Sequence, residues 1–72
     1  MCIRDRLRQA QQLFERGELD EAHRQARRIS RRYKDTPTRE DALFLVGEIE
    51  YAQQRYAKAQ DSYGELLSLI HI

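Results

Sequence analysis

The side chains best suited to acid–base or metal chemistry are few: two histidines, His23 and His71, and one cysteine, Cys2. A metal centre needs several such ligands at short spacing, and none of these three has a partner of its kind nearby. Asp20 with Glu21, and Glu40 with Asp41, are paired acids. Each pair sits where a helix begins, which is where carboxylates oppose the helix dipole. No glycine-rich loop is present to cradle a phosphate. Tyr51, Tyr56 and Tyr63 read as core positions rather than a cofactor box. The expectation is a non-catalytic chain with no metal, no cofactor and no small-molecule substrate.

A basic run is the other chemical feature. Arg24, Arg27, Arg28, Arg31, Arg32 and Lys34 follow one another with no acid between Ala22 and Asp35. Such a face can grip nucleic acid phosphates or acidic lipid heads. Arginines in a last helical turn also serve the dipole. The one interleaved aromatic, Tyr33, belongs to an apolar stripe and is not free to stack on bases. A solvated face is expected, and a basic module acting through residues 24–34 (Arg24, Arg27, Arg28 and Arg31 above all) is the alternative function. Thirteen basic against twelve acidic residues give a net charge of +1, so no global field draws nucleic acid to the chain.

These residues are carried on helices. One proline, three glycines, 40% hydrophobic and 35% charged residues describe a solvated helical chain of 72 residues. Leu7, Ala10, Leu13 and Phe14 form the stripe of a first helix, and Gly17 stops it by accepting positive φ. Leu19, Ala22, Ala26, Ile29 and Tyr33 form the stripe of a second, antiparallel to the first because only a tight turn joins them. Thr36 is the expected N-cap of a third helix with Pro37 at its first position. That helix turns Ala42, Leu43, Val46, Gly47, Ile49 and Tyr51 inward. Tyr56, Ala59, Tyr63, Leu66 and Leu67 line a fourth. No apolar run approaches the ~18 residues that a membrane span requires.

The two halves are copies. At an offset of 37 residues, Ala10 aligns with Gly47, Phe14 with Tyr51, Leu19 with Tyr56, Ala22 with Ala59, Ala26 with Tyr63 and Ile29 with Leu66. Self-similarity at fixed spacing marks a repeat architecture. Gly47 in mid-helix would cost about 1 kcal/mol against alanine, which points to a close helix crossing there. Ala22 and Ala59 mark close approach within each hairpin.

Leu43-x-x-Val46-Gly47 followed by Tyr51, Tyr56, Ala59 and Tyr63 resembles a tetratricopeptide repeat, with Val46-Gly47 standing for Leu-Gly and Ala59-x-x-x-Tyr63 for Ala-x-x-x-Phe. The second copy departs from the pattern at Leu43 and Glu50. The first departs at Arg6, Gln9, Ala10 and Ala26. The offset exceeds the family's usual 34, the extra residues falling near Thr36. The segment from Tyr33 through Glu48 is similar to that of bacterial envelope members of the family, the outer-membrane assembly lipoproteins and the Tol–Pal-associated cell-division coordinators. The periplasm or outer-membrane periphery is the compartment this resemblance implies, and the cytoplasm is the expectation without it.

The resemblance implies an all-α right-handed solenoid of four helices in two antiparallel hairpins. Residues 7–34 would form the first hairpin and 35–66 the second. Residues 1–6 and 67–72 resemble translated adapter sequence at the ends of metagenomic contigs, and are expected to be non-native extensions of a fragment. The family binds peptides or partner domains on the face lined by the first helix of each hairpin. Here that face comprises Leu7, Gln11 and Phe14, then Asp41, Phe44, Leu45, Glu48 and Tyr51. Phe44 is either a partner anchor or a contact to a further repeat. Arg8, Asp41 and Glu48 make the face mixed in charge. The expected function is a protein–protein interaction scaffold, with self-association through the open ends of the stack.

Overall fold

The computed structural model describes residues 3–33 and 37–70. It holds four helices, α1 (Ile3–Glu15), α2 (Leu19–Arg32), α3 (Pro37–Ala52) and α4 (Tyr56–Ile70), and no strand among the described residues. Cys2, Lys34, the expected cap Thr36 and His71 lie outside them. α1 starts at Ile3 and α4 runs to Ile70, so both helices continue into the stretches expected as extensions. Tyr33, expected as the last residue of the second stripe, lies one residue past α2. It caps that helix, its backbone N–H reaching the Ile29 carbonyl at 3.1 Å.

The turns show why the chain reverses where it does. After α1, the Gly17 N–H bonds the Phe14 carbonyl at 3.0 Å and the Glu18 N–H bonds the Leu13 carbonyl at 2.9 Å. This pair of bonds closes a Schellman turn, which needs a left-handed residue at its centre. Gly17 supplies it with φ 84°. After α3 the same bonds recur 37 residues on, from the Gln54 N–H to Tyr51 and from the Arg55 N–H to Glu50. Gln54 takes the left-handed conformation there with φ 64°. The repeat read in the side chains is therefore also a repeat of the backbone. Gln53 Nε2 donates to Asp20 Oδ1 at 2.9 Å, tying the second turn to the start of α2.

Each helix packs on the next, α1 also touches α3, and α4 touches α3 alone. In a closed four-helix bundle the last helix would return against the first. Here the helices lie side by side in a slab of 35 × 32 × 14 Å. Ala10, Ala22, Ala26, Leu45, Val46 and Ile49 form its core, with Leu7, Leu13, Phe14 and Leu19 packed against it. Three alanines in that list let α1, α2 and α3 approach closely. The crossing expected at Gly47 is present: the ring of Tyr63 on α4 lies directly over it.

Three expected core residues are not core. Tyr51, Tyr56 and Leu67 are 61%, 56% and 62% exposed. The two tyrosine rings meet edge to face with centroids 5.1 Å apart. Their counterparts in the first copy, Phe14 and Leu19, are half-buried against the core that α3 completes. Among the described residues nothing covers Tyr51 and Tyr56 in the same way.

Candidate functional site

Leu7, Gln11 and Phe14 of α1 and Asp41, Phe44, Leu45 and Glu48 of α3 line one groove, joined there by Glu15. The spacing explains it. Positions 7, 11 and 14, like 41, 44, 45 and 48, recur every three to four residues and so share one side of each helix. Leu45 is the floor, 5% exposed and part of the core, while Phe44 stands 50% exposed at the rim. Tyr51 is not part of the groove. It lies with Tyr56, Ala59, Tyr63 and Leu67 on an aromatic face of α3 and α4.

The groove is acidic rather than mixed. Arg8 is exposed but does not line it. Glu15, Asp41 and Glu48 do, and none of the three is in an ion pair among the described residues. Beyond the rim, Phe44 tilts against Tyr63 with ring centroids 6.1 Å apart. Burial pushes the Tyr63 phenol above its ordinary value, and Glu48, Tyr51 and Glu50 add to the rise through their charge.

Sequence reasoning missed a buried polar cluster. Glu50 is 1% exposed. Its Oε1 accepts the Ser62 hydroxyl at 2.6 Å, and its Oε2 lies 2.8 Å from His23 Nε2. Three helices are thereby joined through one carboxylate. The signal was Glu50 itself, standing where the repeat pattern wants an aromatic on the inward side of its helix. Serine, histidine and acid are the ingredients of a hydrolase triad, but the order is wrong. There the imidazole stands between hydroxyl and carboxylate, so that it takes the hydroxyl proton. Here the carboxylate stands between the other two, and Ser62 donates to Glu50 rather than to His23. With Ser62 only 8% exposed, the cluster's chemistry is that of a cross-link, satisfying a buried charge.

The arginines of α2 lie along its outer side with Asp20 and His23. Arg24 reaches Glu21 at 3.4 Å, a pair exposed enough to contribute little. Arg24 and Arg28 face solvent, whereas Arg27 is half-buried. Arg27 and Arg31 also border a cleft between α2, α3 and α4. Among the described residues no group of histidine, cysteine and acid side chains could hold a metal ion. No described helix is long and apolar enough to cross a membrane. Comparison with known proteins adds no family: no family model, no curated protein and no solved structure matches the chain.

Proposed function

We propose that the chain is a scaffold of tetratricopeptide type whose groove between α1 and α3 holds a segment of another protein carrying apolar and basic side chains. The observation that carries this reading is the composition of the groove. Leu7, Phe14, Phe44 and Leu45 give it an apolar bed, and Glu15, Asp41 and Glu48 rim it with unpaired carboxylates. An apolar anchor set among opposite charges is how a short segment gains both affinity and register. The open, side-by-side packing and the turn repeated at 37 residues support a right-handed stack. Under this reading the face of Tyr51, Tyr56, Tyr63 and Leu67 receives the first hairpin of a second copy. The segment from Tyr33 through Glu48 supports an envelope-type member, whose partner is then another envelope component.

A peptide selection on the immobilised chain tests the groove. Enriched sequences are expected to combine Lys or Arg with Leu or Phe, and Phe44→Ala should weaken them about tenfold. Asp41→Lys should weaken them further while the helical signal stays unchanged. Peptides that share no pattern, or that bind both variants as well as the parent, would overturn the reading. The alternative, nucleic acid or anionic lipid on Arg24, Arg27, Arg28 and Arg31, predicts binding that collapses with added salt. Replacing Arg27, Arg28 and Arg31 by Gln distinguishes the two, since it leaves the groove intact.

A further inference from the structure

The cleft between α2, α3 and α4 lies on the side of α3 opposite the groove, because Arg39, Leu43 and Val46 share one helical face and Asp41, Phe44 and Glu48 the other. Its walls bring together Arg27 and Arg31 of α2, Arg39 of α3 and Glu65 of α4. Arg27 and Arg31 form no ion pair among the described residues. Arg39 meets Glu65 only at 3.5 Å, and that glutamate is 55% exposed. Three arginines thus line the cleft with one glutamate, a surplus of two positive charges.

A second observation points to a ligand. Arg39 Nε is buried and has no hydrogen-bond partner among the described residues. Buried donors without an acceptor are rare in folded chains. The serines at the cleft cannot donate to a guest, since Ser30 Oγ donates to the Arg27 carbonyl at 2.8 Å and Ser62 Oγ to Glu50. The donors that remain are guanidinium N–H groups, whose fork matches the oxygens of an oxyanion. Buried Leu43 and Val46 also line the cleft, which strengthens any charge pairing inside it.

The geometry points to this cleft as a binding site for a phosphate monoester. The group carries a charge of about −1.5 to −2 near neutral pH, which matches the surplus of two, whereas a carboxylate meets only half of it. The volume of about 320 Å³ is at the lower end for small-molecule sites. A soluble phosphorylated metabolite and the monoester headgroup of phosphatidic acid share this chemistry. The site is independent of the groove on the other side of α3, so either can fail alone.

Nitrogen-15 spectra of the arginine Nε–Hε groups test it, with inorganic phosphate and glycerol 3-phosphate titrated at constant ionic strength. Arg27, Arg31 and Arg39 are expected to shift saturably and Arg24 and Arg28 to stay in place. Sulfate should compete and acetate should not. Arg39→Gln should lower affinity about tenfold, with Arg39→Lys intermediate and Arg28→Gln without effect. Arg31→Gln, at an exposed position, serves should Arg39→Gln fail to fold. Vesicles of phosphatidylcholine doped with phosphatidic acid form the second arm. Vesicle binding lost in Arg39→Gln assigns the headgroup source; a response to soluble monoesters alone assigns the metabolite. Shifts that never saturate, that all arginines share and that chloride reproduces would overturn the site. Vesicle binding indifferent to Arg39→Gln, with no response to soluble phosphate, would overturn it equally.

Discussion

The ring of Tyr63 on α4 lies so close over Gly47 on α3 that a β-carbon there would stand 2.6 Å from Cε1 and 2.9 Å from Cδ1. Alanine in an unencumbered helix would gain about 1 kcal/mol over glycine. At Gly47 it must push aside a half-buried ring that also rests on Phe44. Overpacking of this kind costs about 1–3 kcal/mol, so Gly47→Ala is expected to destabilise in urea unfolding. In a Tyr63→Ala background the same change should stabilise. Equal effects in both backgrounds would show that the ring yields freely.

The two turns give a paired prediction. Gln54 holds a left-handed φ of 64° where the first copy has Gly17. A side chain in that conformation costs roughly 1–2 kcal/mol, part of which glycine returns to the flexibility of the unfolded chain. Gln54→Gly should therefore raise the melting temperature, and Gly17→Ala should lower it. A drop for Gln54→Gly would mean that the Gln54 side chain is worth more than the strain it carries.

Removing the Ser62 hydroxyl leaves Glu50 Oε1 buried with no hydrogen-bond donor. The cost of such an unsatisfied group is about 1–3 kcal/mol, and Ser62→Ala should show it in chemical denaturation. Glu50→Ala should cost more, since it opens a cavity and strands both His23 and Ser62. A Ser62→Ala, Glu50→Gln double-mutant cycle should give a coupling well above experimental error. Additive effects would mean that the 2.6 Å bond is not made in solution.

Alkaline pH should unfold the chain in part through Tyr63. Its phenol is raised above the ordinary value of 10.0 by burial first and by Glu48, Tyr51 and Glu50 after that. The folded state therefore holds the proton more tightly than the unfolded one. Stability from this source is complete below about pH 10 and is lost as pH rises through the folded value. Melting temperatures from pH 9 upward should fall less steeply in Tyr63→Phe than in the parent. Parallel curves would remove Tyr63 from the account.

The helices and the turns were legible because their causes are local. Stripes at three- to four-residue spacing, Gly17 and Pro37 act within a few residues of themselves. The 37-residue register likewise anticipated the backbone of the second turn, although it gave no hint that glutamine would hold the left-handed position. Seven of the eight residues expected on one face do line one groove. The resemblance implied that face, and helical period keeps its residues together once α1 and α3 are neighbours. The eighth, Tyr51, is one further turn along α3 and falls with Tyr56 instead.

The sequence by itself determined that this is an all-helical, internally repeated chain, because side-chain period and turn chemistry need no partner from afar. Only the tertiary structure decided which apolar stripes were covered. Phe14 and Leu19 pack on the core that α3 completes, while Tyr51 and Tyr56 in the same places stay exposed among the described residues. It also decided the electrostatics, which depend on distance through space rather than along the chain. Glu50 meets His23 and Ser62 from two other helices, Arg8 turns out of the groove, and Arg39 joins Arg27 and Arg31 in a cleft that no spacing announced.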